Sequence, residues 1–200
     1  MSSVATPRLT ADTLLSNDAF LKVRDQKKEE IFQLKKARRV ACGPYAVFYF
    51  ECFETLWWQT QEMLRIEDGG AEQIEDELQA YAPLVPSGND WVATLMLEIP
   101  DAAQRRQILG TLGHVEEKIS IRFEGQSVQA EATDDIERTT QDGKTSAVHF
   151  LRFVFSEAQK NSLKEQGKSA CVELCIAHPR YQHTTQLAPQ TLCALLKDFS

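Results

Sequence analysis

Residues 144–155 read KTSAVHFLRFVF, and this stretch decides the fold. It is rich in β-branched and aromatic residues. Side chains alternate along a strand, so Ala147, His149, Leu151, Phe153 and Phe155 share one face, and Val148, Phe150, Arg152 and Val154 share the other. Both faces are apolar, as in a central strand covered on two sides. A polar group in such a strand needs a partner, because burying it unpaired costs about 1–3 kcal/mol. Arg152 keeps its charge and therefore needs a carboxylate. Glu98 or Glu51, each the polar end of an apolar strand, is expected to supply it. His149 reads as a satisfied core histidine, with general base and metal ligand as alternatives. The spacing of Thr145 and Ser146 to His149 implies no nucleophile–base contact. The sequence has no G-x-S-x-G elbow, so hydrolase chemistry has little support.

Working outward, Ser16 or Asn17 caps a helix over 18–36. Strands at 39–42 and 45–51 flank a turn at Gly43-Pro44. A helix at 55–67, a break at Gly69-Gly70, a helix at 71–81 and a loop at 83–90 follow. Residues 91–99 (WVATLMLEI) form a second two-faced strand, and Pro100-Asp101 starts a helix that ends near Leu112. A hairpin spans 118–123 and 128–131, and 133–143 is polar and turn-like. Ser156 caps a helix ending near Gly167, with Glu157, Lys160, Lys164 and Glu165 on its exposed face. Strands at 170–177 and 184–187 enclose a loop at 178–183, and Pro189 opens a last helix to 198. These about seven strands and five or six helices, often hairpin-linked, give an α+β domain with a mainly antiparallel or mixed sheet. The expected organisation is one domain over 1–200, with 1–38 packing as an arm.

The chain is 42% hydrophobic and 26% charged, ordinary for a globular protein. No run approaches the roughly 20 apolar residues that cross a membrane, and no secretory signal is evident, so a cytoplasmic location is expected. Five cysteines, an odd number without CxxC, read as buried free thiols. The net charge of −7 is uneven: residues 1–39 carry +4 and the remainder −11. Lys35, Lys36, Arg38 and Arg39 close the basic segment that starts at Lys22, and an acidic stretch occupies 67–77. Two readings follow: complementary solvated helix faces, or a docking surface for an anionic partner. Nucleic acid is disfavoured, because the protein is acidic overall and no aromatics interleave with the basic segment.

Cys175, His178 and His183 carry the atom types that bind zinc or iron. Cys171 and Cys175 would lie about 13 Å apart on one strand and cannot share an ion. A loop at 178–183 would let Cys175, His178 and His183 converge. Glu62 and Arg65 are placed to pair at i,i+3. No Glu-x-x-His, GxGxxG or GxxxxGK[ST] occurs, so a di-iron helix pair and the usual nucleotide loops are unsupported.

Residues 35–40 (KKARRV) with Gly43-Pro44, 59–67 (QTQEMLRIE), 83–89 (PLVPSGN), 93–96 (ATLM), 144–153 (KTSAVHFLRF) and His178-Pro179…Tyr181…His183 resemble a bacterial family, domain of unknown function 3501. Cys171 and Cys175 lie outside its pattern. Members of that family are often encoded beside rubrerythrin-like and iron–sulfur oxidoreductase proteins. The resemblance therefore implies an accessory, partner-docking role near redox or oxidative-stress metabolism, with those proteins as partners. It marks His149, Arg152, His178 and His183 as candidate site residues, with Glu62 and Arg65 behind them. Two further readings stand beside it: a metal- or small-anion-binding protein or enzyme using His149, Arg152, His178 and His183, and a nucleic-acid-binding regulator using 22–39.

Overall fold

The computed structural model describes residues 7–67, 70–133 and 138–200. Its strands are β1 (Arg39–Cys42), β2 (Ala46–Phe50), β3 (Asp90–Leu97), β4 (Ile119–Phe123), β5 (Gln126–Ala132), β6 (Val148–Val154), β7 (Glu173–His178) and β8 (Tyr181–Gln186). They form one sheet in the order β1-β2-β3-β6-β5-β4-β7-β8, antiparallel throughout. The sheet rolls until β1 lies beside β8, so it is nearly a barrel. The fold is α+β with a mainly antiparallel sheet, as the strand and helix pattern predicts.

Residues 144–155 behave as their alternation requires. Leu95 pairs with His149, Ala93 with Leu151 and Trp91 with Phe153. These inward side chains join Phe48, Ile121 and Leu174 in one core that fills the rolled sheet. Each large apolar side chain buried there stabilises the fold by roughly 1.5–3 kcal/mol. The opposite face of β3 and β6 buries Val92 and Phe150 against Leu56 and Leu84.

The helices are α1 (Asn17–Ala37), α2 (Phe53–Glu67), α3 (Gly70–Tyr81), α4 (Ala102–Leu109), α5 (Glu157–Gln166) and α6 (Pro189–Leu195). Ser16 caps α1 by accepting from the Ala19 amide at 3.3 Å, and Asp101 caps α4 by accepting from Gln104 at 2.7 Å. Ser156 and Gln159 make a reciprocal capping box on α5. α2, α3 and the 3-10 turn Ala82–Leu84 cover the outer face of β3 and β6. α1 lies on α2, with Phe20 edge-on to both Trp57 and Trp58. α6 and the C-terminus close one end of the roll: the Trp91 indole donates to the Leu195 carbonyl at 3.0 Å and stacks on Phe199. Leu109, Leu112 and Val115 belong to the same core, from the α4 side.

The structure differs from the sequence reading at several points. The expected loop 178–183 is a tight hairpin, with His178 paired to Tyr181 across Pro179-Arg180. β7 begins at Glu173, which leaves Cys171 exposed ahead of it. Cys193 is exposed as well, so only Cys42, Cys52 and Cys175 are buried thiols. Lys160 is not on an exposed face: it is 2% exposed and donates to the Asn89 side chain at 2.6 Å. Gly69 of the expected helix break, Asp68 of the acidic stretch and residues 134–137 of the expected turn lie outside the described residues.

Candidate functional site

Arg152 points to the outer face of the sheet, and its partner is neither Glu98 nor Glu51. It makes an ion pair with Asp90 and donates to the Pro83 carbonyl. Asp90 opens β3 and is 2% exposed; its other oxygen accepts from the Ser87 amide at 2.6 Å and hydroxyl at 3.0 Å. Arg152 therefore fastens the 83–90 segment to the sheet. The sequence signal for Asp90 was a carboxylate beside an apolar strand, but only the β3–β6 register identifies it. Glu98 instead accepts from the Tyr49 hydroxyl at 2.6 Å and pairs with Arg39 at 3.5 Å.

His149 points inward and is 1% exposed. Contrary to the spacing argument, Thr145 does reach it: Oγ1 lies 3.1 Å from Nε2. The Ser146 carbonyl is 3.0 Å from the same nitrogen. A carbonyl can only accept, so Nε2 carries the hydrogen and cannot take a proton from Thr145. Nδ1 faces Glu116 at 3.5 Å. These three side chains join the turn before β6 to the 3-10 turn Val115–Lys118. They have the composition of a hydroxyl–imidazole–carboxylate relay, but the hydrogen-bond direction is that of a structural polar cluster.

The strand register separates the expected metal trio. His183 pairs with Ile176, and Cys175 pairs with Thr184. Cys175 therefore faces the opposite side of the hairpin from His178 and His183. The His178 Nδ1 accepts from the Arg180 amide at 3.2 Å, which is a turn bond. The His183 ring packs on Tyr181 and over Gly43. Among the described residues, no group of three or more His, Cys, Asp or Glu side chains is arranged to hold a metal ion.

Of the basic segment, Arg38 is 4% exposed. It donates to Asp198 at 2.5 and 2.9 Å and to the carbonyls of Glu51 and Ala194, each at 3.0 Å. It is a buried structural ion pair and not part of a docking surface. Burial pushes the Asp198 carboxyl up, against the pull of Arg38. Arg24 donates to Glu62 at 2.7 Å, and Arg65 donates to Glu62 at 2.9 Å, so Glu62 joins α1 to α2. Burial alone would raise the Glu62 carboxyl, but the two guanidiniums outweigh it and hold the carboxyl below its ordinary value. Lys36 is exposed and Lys35 half-buried. On the outer side of α1, Leu21 is 56% and Phe32 61% exposed. They are eleven residues apart, about three helical turns, and so lie on one stripe with Lys28 and Lys36.

Two concavities flank this region. A groove of about 900 Å³ runs beside α1, with Val23, Ile31, Leu34, Trp57 and Phe199 among its apolar walls. A smaller pocket of about 380 Å³ lies between the outer sheet face and α2 and α3. Met96, Val148 and Phe150 form its sheet side, and Leu56, Gln59 and Tyr81 its helical side. Burial pushes the Tyr81 hydroxyl up. The pocket's carboxylate is Glu51, which accepts from the Thr55 hydroxyl at 2.6 Å and the Thr94 hydroxyl at 2.7 Å. The sequence reading uses Glu51 only as a partner for Arg152 and misses this pocket, because seven separate elements line it: α1, β2, α2, α3, the 3-10 turn, β3 and β6.

Residues 8–199 match the model of a family described as Protein of unknown function (DUF3501). The chain belongs to this family. The motif resemblance read from the sequence points to the same one. The chain is also similar to a crystal structure from Burkholderia pseudomallei, described as a novel protein of unknown function. The two share 37% identity and superpose with a TM-score of 0.88 over 97% of this chain and 100% of that one. No curated protein matches the chain. Among the described residues, no helix is long and apolar enough to cross a membrane.

Proposed function

We propose that this protein is an accessory, partner-docking protein whose docking element is α1. The observation that carries this is the incomplete cover of α1. Phe20 and Ile31 are buried, yet Leu21 and Phe32 stand in solvent on one flank and the 900 Å³ groove opens on the other. Large exposed apolar side chains rimmed by charge mark interaction surfaces. Lys28 and Lys36 are exposed beside them, as are Asp25 and Glu29, which suits a partner with an apolar patch inside a rim of mixed charge. The gene neighbourhood implied by the family resemblance supports a rubrerythrin-like or iron–sulfur oxidoreductase partner and a redox setting.

Two other readings draw less support from the geometry. His149 points into the core, Arg152 lies on the outer face of the sheet, and His178 and His183 lie on the last hairpin, so the four do not converge on one anion or metal site. Arg24, Arg38 and Arg39 are each tied to a carboxylate, which removes much of the charge a nucleic-acid surface needs.

The test is titration calorimetry with the purified rubrerythrin-like protein of the same genome, at low and high salt. The expected result is salt-sensitive binding that falls about tenfold or more in Phe32→Glu and Leu21→Glu, as loss of an interface anchor does. No binding, or binding unchanged by both variants, overturns the proposal.

A further inference from the structure

The docking reading leaves the pocket over the sheet unused. We propose that this pocket binds a small organic amine, seating an ammonium on Glu51 and an apolar or aromatic body against Phe150, Leu56 and Tyr81. Its volume of about 380 Å³ lies in the range of small-molecule sites.

The choice of an amine follows from Glu51. The two threonine hydroxyls bind one to each carboxylate oxygen, which holds the group rigid. A carboxylate has about four acceptor sites, so it retains capacity to accept. Glu51 is only half-exposed, and no cation of the described residues lies at ion-pair distance from it. A partly desolvated, oriented carboxylate without a counter-charge is completed by a cationic hydrogen-bond donor. Aromatic rings beside it add attraction for the same charge. Arg38 also borders the pocket, but its charge is balanced by Asp198. Lys35 is the one competing feature, since a ligand carboxylate would seek it instead.

The experiment titrates the full-length protein with phenethylamine, phenethyl alcohol and phenylacetate, and follows amide chemical shifts. These probes share one body and differ in charge. The expected order is amine first, tighter than the alcohol by about tenfold or more, as a charge-assisted hydrogen bond gives. Shifts should centre on Thr55, Thr94 and Tyr81, and the preference should vanish in Glu51→Gln. Equal binding of amine and alcohol, tighter binding of phenylacetate through Lys35, or no binding of any probe overturns the proposal. That comparison uses the wild-type protein, so it stands even if the Glu51 variant folds poorly. None of its outcomes bears on α1 docking.

Discussion

Replacing Arg38 by Met should destabilise the protein without touching its surface. The Arg38 side chain is 4% exposed and the Asp198 side chain 7%. Its guanidinium makes four hydrogen bonds, two to Asp198 and two to backbone carbonyls. Met fills a similar volume but leaves the Asp198 charge and two carbonyls without their donor. Breaking one side of a buried pair costs about 3–5 kcal/mol. For a chain of this size that lowers the melting temperature by roughly 10 °C, at about 2–4 °C per kcal/mol. The double variant Arg38→Met/Asp198→Leu removes the stranded charge and should recover a large part of the loss. Thermal and urea unfolding of wild type, both single variants and the double variant measure the coupling directly. Additive single losses, or a cost for Arg38→Met below about 1 kcal/mol, would refute the reasoning. The latter would return Arg38 to the solvated basic segment where the sequence alone had put it.

Three further outcomes are expected. Gly43 has φ +79°, and a Cβ there would sit 2.5 Å from the His183 ring. Gly43→Ala should therefore cost about 2–4 kcal/mol in urea unfolding, and a His183→Ala background should recover part of that; a neutral Gly43→Ala would show that this turn does not pack on the hairpin. Ellman titration of the native protein at pH 8 should release the Cys171 and Cys193 thiols quickly and the other three only on unfolding. Cys52 is the most resistant by protonation, since burial pushes its thiol up to about 11; rapid release of more than two would contradict this. Because the Glu62 carboxyl is lowered in the folded state, it stabilises above the ordinary value of about 4.3 and loses that contribution as pH falls through its folded value. Glu62→Gln should flatten the acid side of the stability–pH curve, and an unchanged slope would mean that the Arg24 and Arg65 contacts do not persist in solution.

Local patterns carried the sheet into view. The two-faced run at 144–155, the 91–99 run and the hairpin over 118–131 all signal antiparallel strands by alternation and turn chemistry. β8 was harder, because Gln182, Thr184 and Gln186 face solvent and only Tyr181 supplies an apolar inward side chain. Reading its first half, 181–183, as a loop is what makes Cys175, His178 and His183 look convergent. Arg38 and Lys160 look like surface residues because their class is usually exposed. Their partners, Asp198 and Asn89, lie 160 and 71 residues away in the chain, and no local window relates them. Asp90 was hidden for the same reason: pairing it with Arg152 requires the register of β3 on β6. The Glu51 pocket was out of reach altogether, since its walls come from strands and helices that no spacing rule brings together.

The Tyr181 hydroxyl has a consequence for how the chain is made. It accepts from the amides of Tyr45 and Ala46, both at 3.0 Å, and donates to the Cys42 carbonyl at 2.9 Å. This single side chain links the hairpin of β1 and β2 to that of β7 and β8, across 139 residues in the last of those bonds. Closing a flexible loop of that length costs about 4 kcal/mol of chain entropy. During synthesis the first hairpin therefore emerges long before its lateral neighbour exists, and β1 waits as an open strand edge. The exposed Arg39 and the brevity of β1, four residues, blunt that edge until the last hairpin leaves the ribosome and the roll can shut.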